Sequence, residues 1–337
     1  MKSALLRSTL EVDITTTGFF MTFHRITYRN LLAAAALLGL SSVTSAGPLN
    51  DYNLILFGDL NVSGGSGHIE GKAFIGGNVV NASVFAQKEP QNSTADTVKV
   101  VGNFASNNGT HIDRGYLAYQ GNFSGPTNIC NGSGLVPNGC LKQVTDGSLT
   151  AEKTSLFAQL QAESAYYKNL AASANTDLVG DMNNKAFTYS GAATDLVVFN
   201  ITAEELTGPQ WSLNMDFATA LNVVINVSGS SFNAGNTKNG TQSFRDNFNN
   251  VLWNFYEATN LNFGDSWFGS VLALNATIAT NSNLDGAVAA KSYVGNGEIH
   301  KGSWDYTPPV TEVTEPSIFI LLLTGIGLIG LGRLRRR

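Results

Sequence analysis

One short pattern repeats in the first part of the chain: a few apolar residues are followed by glycine and a polar residue. Gly-Asn itself occurs at 77–78, 102–103 and 121–122, so successive copies lie 25 and 19 residues apart. Repeats of this length are typical of solenoids, in which each repeat forms one coil stacked on its neighbours. Asparagine tolerates left-handed backbone angles and can stack in ladders, which suits the corners between strands. The pattern favours a β-solenoid over a β-sandwich, which can use the same punctuation.

Strand-like apolar runs recur along most of the body of the chain. They occur before residue 130 and return after residue 195. The runs are Leu54–Phe57, Ala73–Ile75, Val98–Val101, Tyr116–Tyr119, Leu196–Phe199, Leu221–Val227, Val251–Phe255, Ser270–Leu274, Ala276–Ala279 and Ala287–Ala290. No charge run or proline-rich linker separates them. We therefore expect one mainly β domain over residues 47–305, followed by a linker at 306–313.

Residues 148–173 break this pattern, because the segment lacks glycine and proline and is rich in alanine. Apolar side chains recur at helical spacing on one of its faces. They are Leu156, Leu160, Tyr167, Leu170 and Ala174. The segment predicts a long amphipathic helix that Ser148 or Thr150 can cap. We expect the apolar stripe to pack on the domain's own sheet, and a stripe that binds a partner is the alternative.

Charge separates the two ends of the chain from its body. Residues 47–315 carry 12 basic and 23 acidic residues, a net charge of −11, whereas the ends hold the other eight of the 20 basic residues. Charged residues are only 13% of the chain, about half the usual share of a soluble domain. A nucleic-acid binder needs clustered Lys and Arg to meet phosphates. We therefore expect no nucleic-acid partner.

The N-terminal region has the pattern of a secretory signal. Arg25 and Arg29 precede the apolar run Leu31–Leu40, and small residues follow up to position 46. The run is too short to span a bilayer, and this order is typical of a signal peptide. We assign residues 1–46 to a signal region cleaved between Ala46 and Gly47, with the signal peptide itself at 21–46. A buried helix of the mature domain is the alternative.

Residues 314–337 combine three features at the C-terminus. Glu315-Pro316-Ser317 is followed by the apolar run Ile318–Gly332 and then by Arg333, Arg335, Arg336 and Arg337. With its flanking residues the run is long enough for one transmembrane helix, and the arginines would stay in the cytoplasm. The order resembles a PEP-CTERM sorting signal, although Thr314 stands where that signal has its first proline.

This resemblance implies a Gram-negative bacterium that exports the chain through its inner membrane. The C-terminal helix would anchor the chain there transiently, until an exosortase recognises the signal and removes the tail. The mature protein would then reach the cell surface or the extracellular matrix. A permanent single-span anchor is the alternative.

Cys130 and Cys140 flank a loop rich in Gly, Asn and Pro. An exported chain meets an oxidising compartment, so we expect a disulfide between them. A metal site is the alternative, but no histidine lies nearby in the sequence. We expect no metal site.

Five segments of the body resemble the choice-of-anchor A family of adhesive surface domains. They are residues 53–61, 69–79, 251–261, 267–278 and 284–293. Leu274 stands where that family has proline. The resemblance implies adhesion to surfaces, exopolysaccharide, biofilm or flocs, without enzymatic activity. The order of strands, one long helix and further strands is also similar to that of bacterial ice-binding proteins, which implies a right-handed β-solenoid with the helix packed alongside.

Motifs for catalysis are missing. The sequence has no G-x-S-x-G elbow, H-E-x-x-H helix, P-loop or EF-hand loop. We expect no catalytic residue and no cofactor. Single carboxylates beside turns, namely Asp59, Glu70, Asp113 and Glu298, leave a polysaccharide-acting solenoid enzyme as the alternative, since a glycosidase needs two carboxylates at a defined separation.

Aromatic residues suggest where a sugar would stack. Trp253 and Phe255 share one side of a strand, and we expect both in the core. Trp211, Trp267 and Trp304 lie near turns and are the candidates for exposure. An ice-binding face would need regularly spaced threonines, which Thr277 and Thr280 do not provide. The two resemblances, together with the missing catalytic motifs, imply an adhesin whose partners are exopolysaccharide or other surface proteins.

Overall fold

The computed structural model describes residues 47–62, 67–81, 84–130, 139–181, 184–206, 213–216, 222–234, 241–306 and 308. Short parallel strands wind around a prism with three faces. The first coil shows the plan, with strands at Leu54–Leu56, Leu60–Val62 and His68–Ile69 on successive faces. Residue for residue, the next coil pairs with it on each face. This register confirms the predicted β-solenoid and rules out a β-sandwich.

We name the three faces by their contents. The helix face holds Leu54–Leu56, Ala73–Ile75, Asp96–Val100, Tyr116–Tyr119, Leu141–Gln143, Val197–Thr202, Val223–Ser228, Val251–Asn254 and the first parts of Ser270–Thr280 and Val288–Gly295. The ladder face holds Leu60–Val62, Val79–Val80, Phe104–Ala105, Phe123–Ser124, Ser231–Asn233, Asn260–Phe263 and the second parts of those two long strands. The histidine face holds His68–Ile69, Val84–Phe85, His111–Ile112, Trp267–Phe268, Leu284–Asp285 and Ile299–His300.

The remaining elements lie outside the three faces. A small sheet holds Thr176–Val179, Lys185–Tyr189 and Leu213–Asp216. The α-helices are Pro48–Asp51, Ser148–Lys168 and Ala203–Leu206, and a 3-10 helix spans Gln242–Asn250.

The spatial order of the coils differs from their order in the sequence. The strand that starts at Val288 pairs with Leu54–Leu56, and Ile299 pairs with Ile69. Coils run outward from the first one to Leu141–Gln143. They resume at Val197, at the opposite end of the stack, and run towards the first coil. The last coil therefore stacks on the other side of the first. We call this junction the seam.

The interior is apolar and, towards the C-terminal coils, aromatic. Trp253 and Phe255 are fully buried, as predicted. The prediction that Trp267 and Trp304 are exposed is wrong, since each is only 1% exposed. Trp267 points inward beside a corner and lies 4.6 Å, ring to ring, from Phe263. The Trp304 indole lies under the long helix, and Trp211 lies outside the described residues.

The long helix, Ser148–Lys168, packs on the outer side of the helix face. Leu156, Leu160 and Tyr167 are buried against the domain's own sheet, as expected, whereas Leu170 and Ala174 lie beyond the end of the helix, Leu170 half-buried and Ala174 exposed. The helix ends at Lys168, before the predicted Ser173. Neither Ser148 nor Thr150 caps it: Gly147 occupies the cap position, and the Asp146 carboxylate accepts the Ser148 N–H at 2.9 Å.

A row of three amides, buried at Asn226 and Asn254 and exposed at Asn200, fastens this helix to the solenoid. Asn200, Asn226 and Asn254 are paired residues on three successive coils. Each donates from its side-chain nitrogen to a main-chain carbonyl oxygen, those of Leu170, Tyr167 and Ser164 respectively. Adjacent amides also bond to each other at 2.8 Å. Because buried amides must find partners, this row fixes both the position and the rotation of the helix.

Among the described residues, no helix has the length and apolarity needed to span a bilayer. The predicted transmembrane run lies outside the described residues.

Candidate functional site: the ladder face

The repeated Gly-polar pairs stack at the corner that leads into the ladder face. Main-chain hydrogen bonds join Gly58, Gly77, Gly102 and Gly121 in turn, at N–O distances of 2.8, 2.9 and 3.1 Å. The following side chains form a second chain of bonds. The Oδ1 atoms of Asp59, Asn78 and Asn103 each accept a main-chain N–H of the next coil, at 2.7, 2.9 and 2.9 Å. The expected ladder of asparagines is therefore present.

Glycine is required at this corner because the coils come very close. A Cβ atom on Gly102 would lie 2.4 Å from the carbonyl oxygen of Gly77. One on Gly77 would lie 2.5 Å from the carbonyl carbon of Gly58. Real Cβ atoms do not approach backbone this closely, so the close stacking explains the recurrence of glycine.

The ladder face presents two rows of outward side chains. One row is Asn233, Asn262, Ala279, Val294, Asn61, Val80, Ala105 and Ser124. The other is Ser231, Asn260, Thr277, Ser292, Asp59, Asn78, Asn103 and Asn122. Strand spacing places neighbours within a row about 4.8 Å apart, and residues two apart on a strand are about 6.7 Å apart. The result is a regular, amide-rich array in which Asp59 carries the charge.

A groove of about 420 Å³ lies at one edge of this array. Ala279 and Val294 supply apolar surface, and Val294 is 42% exposed. Asn262 and Asn281 add amides to the lining. The Thr280 hydroxyl is buried and donates to the Phe263 carbonyl oxygen at 2.8 Å, which fixes the corner beside the groove. Apolar surface beside amides suits a sugar ring, whose faces are partly apolar and whose edges carry hydroxyl groups.

Charged side chains gather instead on the histidine face, at the seam. The His300 ring lies between two carboxylates, with Nδ1 2.9 Å from Asp285 Oδ1 and Nε2 3.1 Å from Glu298 Oε2. The bond to Asp285 is the main reason that the pKa of His300 rises to about 9. Glu70, from the first coil, accepts the Lys301 main-chain N–H at 2.9 Å. The Glu70 contact ties the last coil to the first, whereas the two bonds of His300 join the last coil to the one before it and to its own turn.

The four carboxylates singled out in the sequence therefore do not form one cluster. Glu70 and Glu298 lie on adjoining coils at the seam, whereas Asp59 belongs to the ladder face. Asp113 lies on a coil farther from the seam, where burial raises the pKa of its carboxyl group. Across the described ranges, no group of three or more His, Cys, Asp or Glu residues is arranged to hold a metal ion.

Cys130 and Cys140 form a disulfide, with their Cα atoms 5.6 Å apart. Gly47 is described and packs at the start of the helix Pro48–Asp51. Ala46 and the sorting-signal residues Glu315, Pro316, Ser317, Arg333, Arg335, Arg336 and Arg337 lie outside the described residues.

Comparison with known proteins gives one family. The sequence profile of the family described as "Putative Ice-binding-like adhesive domain" matches residues 45–301. A search of curated proteins finds no match.

Solved structures similar to this chain include three ice-binding proteins. A glycosylated ice-binding protein from an Arctic yeast is 12% identical, with a TM-score of 0.33; the match covers 79% of this chain and 95% of that one. An ice-binding protein from the Antarctic ascomycete Antarctomyces psychrotrophicus is 13% identical, with a TM-score of 0.28, over 78% and 100% of the two chains. A domain of a Shewanella frigidimarina ice-binding protein is 13% identical, with a TM-score of 0.30, over 76% and 95%.

Proposed function

The chain belongs to the family of ice-binding-like adhesive domains, and we propose that it is an exported adhesin whose ladder face binds uncharged exopolysaccharide. The observation that carries this proposal is the two-row array of amide, hydroxyl and small apolar side chains, with its groove at Val294. Within the adhesive family, we place the chain in the choice-of-anchor A group. The placement rests on five segments that resemble that group, residues 53–61, 69–79, 251–261, 267–278 and 284–293.

The physical case rests on rigidity and charge. Main-chain and side-chain hydrogen bonds hold the array in place before any ligand arrives, so little conformational entropy is lost on binding. Amide groups donate to and accept from sugar hydroxyls. The acidic body, with its net charge of −11 over residues 47–315, disfavours anionic polymers and DNA. An uncharged polysaccharide is therefore the ligand class that fits best.

The groove supplies a matched test. Val294 and Val179 are equally exposed, at 42% and 40%, but Val179 lies in the small sheet, away from the ladder face. Val294→Arg should weaken binding to purified exopolysaccharide of the producing cells at least tenfold, because a bulky cation fills the groove. Val179→Arg should bind as the unaltered protein does. If Val294→Arg binds polysaccharide as tightly as Val179→Arg, the groove is not the binding site. If the unaltered protein binds a partner surface protein but no polysaccharide, that protein is the ligand.

Export and sorting are part of the same proposal. A signal peptide is removed between Ala46 and Gly47, and an exosortase removes the tail near Glu315 after transient anchoring in the inner membrane. Intact-mass measurement in cells with and without the exosortase tests both steps. A surface or matrix species from Gly47 to about Glu315, lost without the exosortase, is expected. A species that keeps its arginine tail in both strains would indicate a permanent anchor.

The proposal includes no catalytic step. The alternative, a polysaccharide-acting enzyme, would have to use the carboxylates beside His300. Release of reducing ends from exopolysaccharide by the purified protein, lost in Glu298→Gln, would establish that alternative.

Ice binding is the second candidate, because the outward side chains of the array are regularly spaced. Thr277 is the single threonine among the outward residues of the two rows described above, so the array lacks a threonine lattice. Thermal hysteresis or inhibition of ice recrystallisation by the purified protein would favour ice over polysaccharide.

A further inference from the structure

Glu163 is an unusual residue of the long helix, because its carboxyl group lies in the interface between the helix and the solenoid and is only 9% exposed. Its Oε1 atom accepts a hydrogen bond from the Tyr167 hydroxyl at 2.9 Å. That hydroxyl in turn accepts the indole N–H of Trp304 at 2.8 Å. One carboxylate oxygen is thus held in a fixed direction.

The other oxygen, Oε2, has no hydrogen-bond donor among the described residues, and no basic side chain offsets the burial of the group. Burial therefore raises the pKa of Glu163 to about 7. A buried carboxylate without a cation is costly, and such groups are normally paired. A cation at Oε2 would offset this burial.

Gly47 lies next to that oxygen. A Cβ atom on Gly47 would have Glu163 Oε2 as its nearest neighbour, at 3.8 Å. Packing fixes this position: Leu49 is 1% exposed, and the Asn50 N–H donates to the Gly47 carbonyl oxygen at 2.9 Å. The main-chain nitrogen of Gly47 is within about 2.5 Å of the Cβ position in any residue. Its distance from Oε2 is therefore at most about 6.3 Å, and cleavage frees the nitrogen from Ala46 so that it can turn towards Oε2.

We infer that Glu163 is the binding site for the α-ammonium group of Gly47 that signal cleavage creates. The inference rests on the cleavage site in the proposed function. Hydrolysis of the Ala46–Gly47 peptide bond consumes one water molecule, leaves Ala46 with a carboxylate, and leaves the Gly47 nitrogen as an amine that takes up a proton. The new cation then pairs with Oε2.

This pairing makes maturation a structural step. Before cleavage, the Gly47 nitrogen is an uncharged amide and Glu163 has no cation. After cleavage, the ion pair joins the N-terminus to the long helix. Tyr167 and Tyr306 are the other titratable groups beside this site, and burial raises the pKa of both hydroxyls. Both stay neutral near pH 7, so Glu163 and the terminal amine are the groups that titrate there.

The test compares a free with a blocked N-terminus. Residues 47–337, the chain that signal cleavage would leave, can be prepared in detergent with Gly47 either free or acetylated. The free amine should titrate at least one unit above its ordinary pKa of about 7.7–8.0, as followed by NMR of an isotope-labelled Gly47. Acetylation should lower the thermal midpoint by about 2–4 °C.

Two variants make the result specific. Glu163→Gln should return the amine to its ordinary pKa and remove the effect of acetylation. Glu152→Gln is the control, because Glu152 lies on the same helix but already pairs with Lys99 at 2.8 Å. It should leave both effects intact. An unshifted amine, or an acetylation effect that persists in Glu163→Gln, would overturn the inference. Since no carbohydrate is involved, failure of the adhesion proposal would not affect this result.

Discussion

Replacing Gly102 by alanine tests why the Gly-Asn repeat exists. The added Cβ would lie 2.4 Å from the Gly77 carbonyl oxygen and 2.6 Å from its carbon. Both are backbone atoms of the neighbouring coil, so no side-chain rotation can relieve the contact. The φ angle of Gly102 is not positive, and backbone strain therefore adds nothing. The whole effect comes from the spacing of the coils.

The magnitude follows from how far the coils must separate. An ordinary contact needs about 1 Å more, which would stretch the 2.9 Å bonds from Gly102 N to Gly77 O and from Asn103 N to Asn78 Oδ1 beyond hydrogen-bond range. Two lost bonds cost about 2 kcal/mol, and overpacking adds about 1–3 kcal/mol. We expect a loss of about 3–5 kcal/mol, which lowers the thermal midpoint by roughly 6–15 °C.

Gly109→Ala is the matched control. It lies in the same coil, and a Cβ there would meet the flexible Asn107 side chain at 3.3 Å. We expect it to change stability by less than about 0.5 kcal/mol. Thermal unfolding followed by far-UV circular dichroism measures both variants. If Gly102→Ala melts within 1–2 °C or so of Gly109→Ala, close coil stacking does not explain the repeated glycine.

Three further predictions concern other parts of the fold. Asn254→Leu should cost about 3–5 kcal/mol in urea unfolding, because it removes three bonds and leaves the Ser164 hydroxyl without its acceptor. Replacing Cys130 and Cys140 by serine should cost about 2–3 kcal/mol, as for a short disulfide loop, and reductant should then no longer change the melting temperature. The pKa of His300 is raised to about 9 in the fold, so its stabilising effect is complete below about pH 6.5 and is lost as pH rises through about 9. Urea unfolding from pH 6 to 10 should show this loss in the unaltered protein but not in His300→Gln.

Local requirements explain which features the sequence predicts well. The pairs at 77–78 and 102–103 mark corners because backbone contact demands glycine there, whatever the distant partners are. The long helix is also predicted, since the spacing of Leu156, Leu160 and Tyr167 depends on the helix alone. Its end at Lys168 is not, because the row of amides beside it comes from strands that follow in the sequence.

Features that depend on distant segments escape prediction. Trp267 is near a turn in the sequence, but its pairing with Leu284 on the next coil turns it inward. The pairing of Leu54 with Val288 joins residues more than two hundred positions apart. No local pattern indicates that the last coil stacks on the first. The second half of the ladder face, including its groove, is therefore visible only in the folded chain.

The seam gives the proposed binding site a further physical consequence. Asn61 of the first coil pairs with Val294 of the last, and both belong to the same outward row. A polysaccharide lying along that row from the groove would contact both sides of the seam. Such a ligand binds the closed solenoid and not a form in which the two coils have separated, so it must stabilise the closed form by mass action. Hydrogen exchange at the Tyr293 amide, which donates to the Asp59 carbonyl oxygen across the seam at 3.0 Å, should slow when exopolysaccharide is added. Exchange at amides of the small sheet, which lies away from the ladder face, should stay the same.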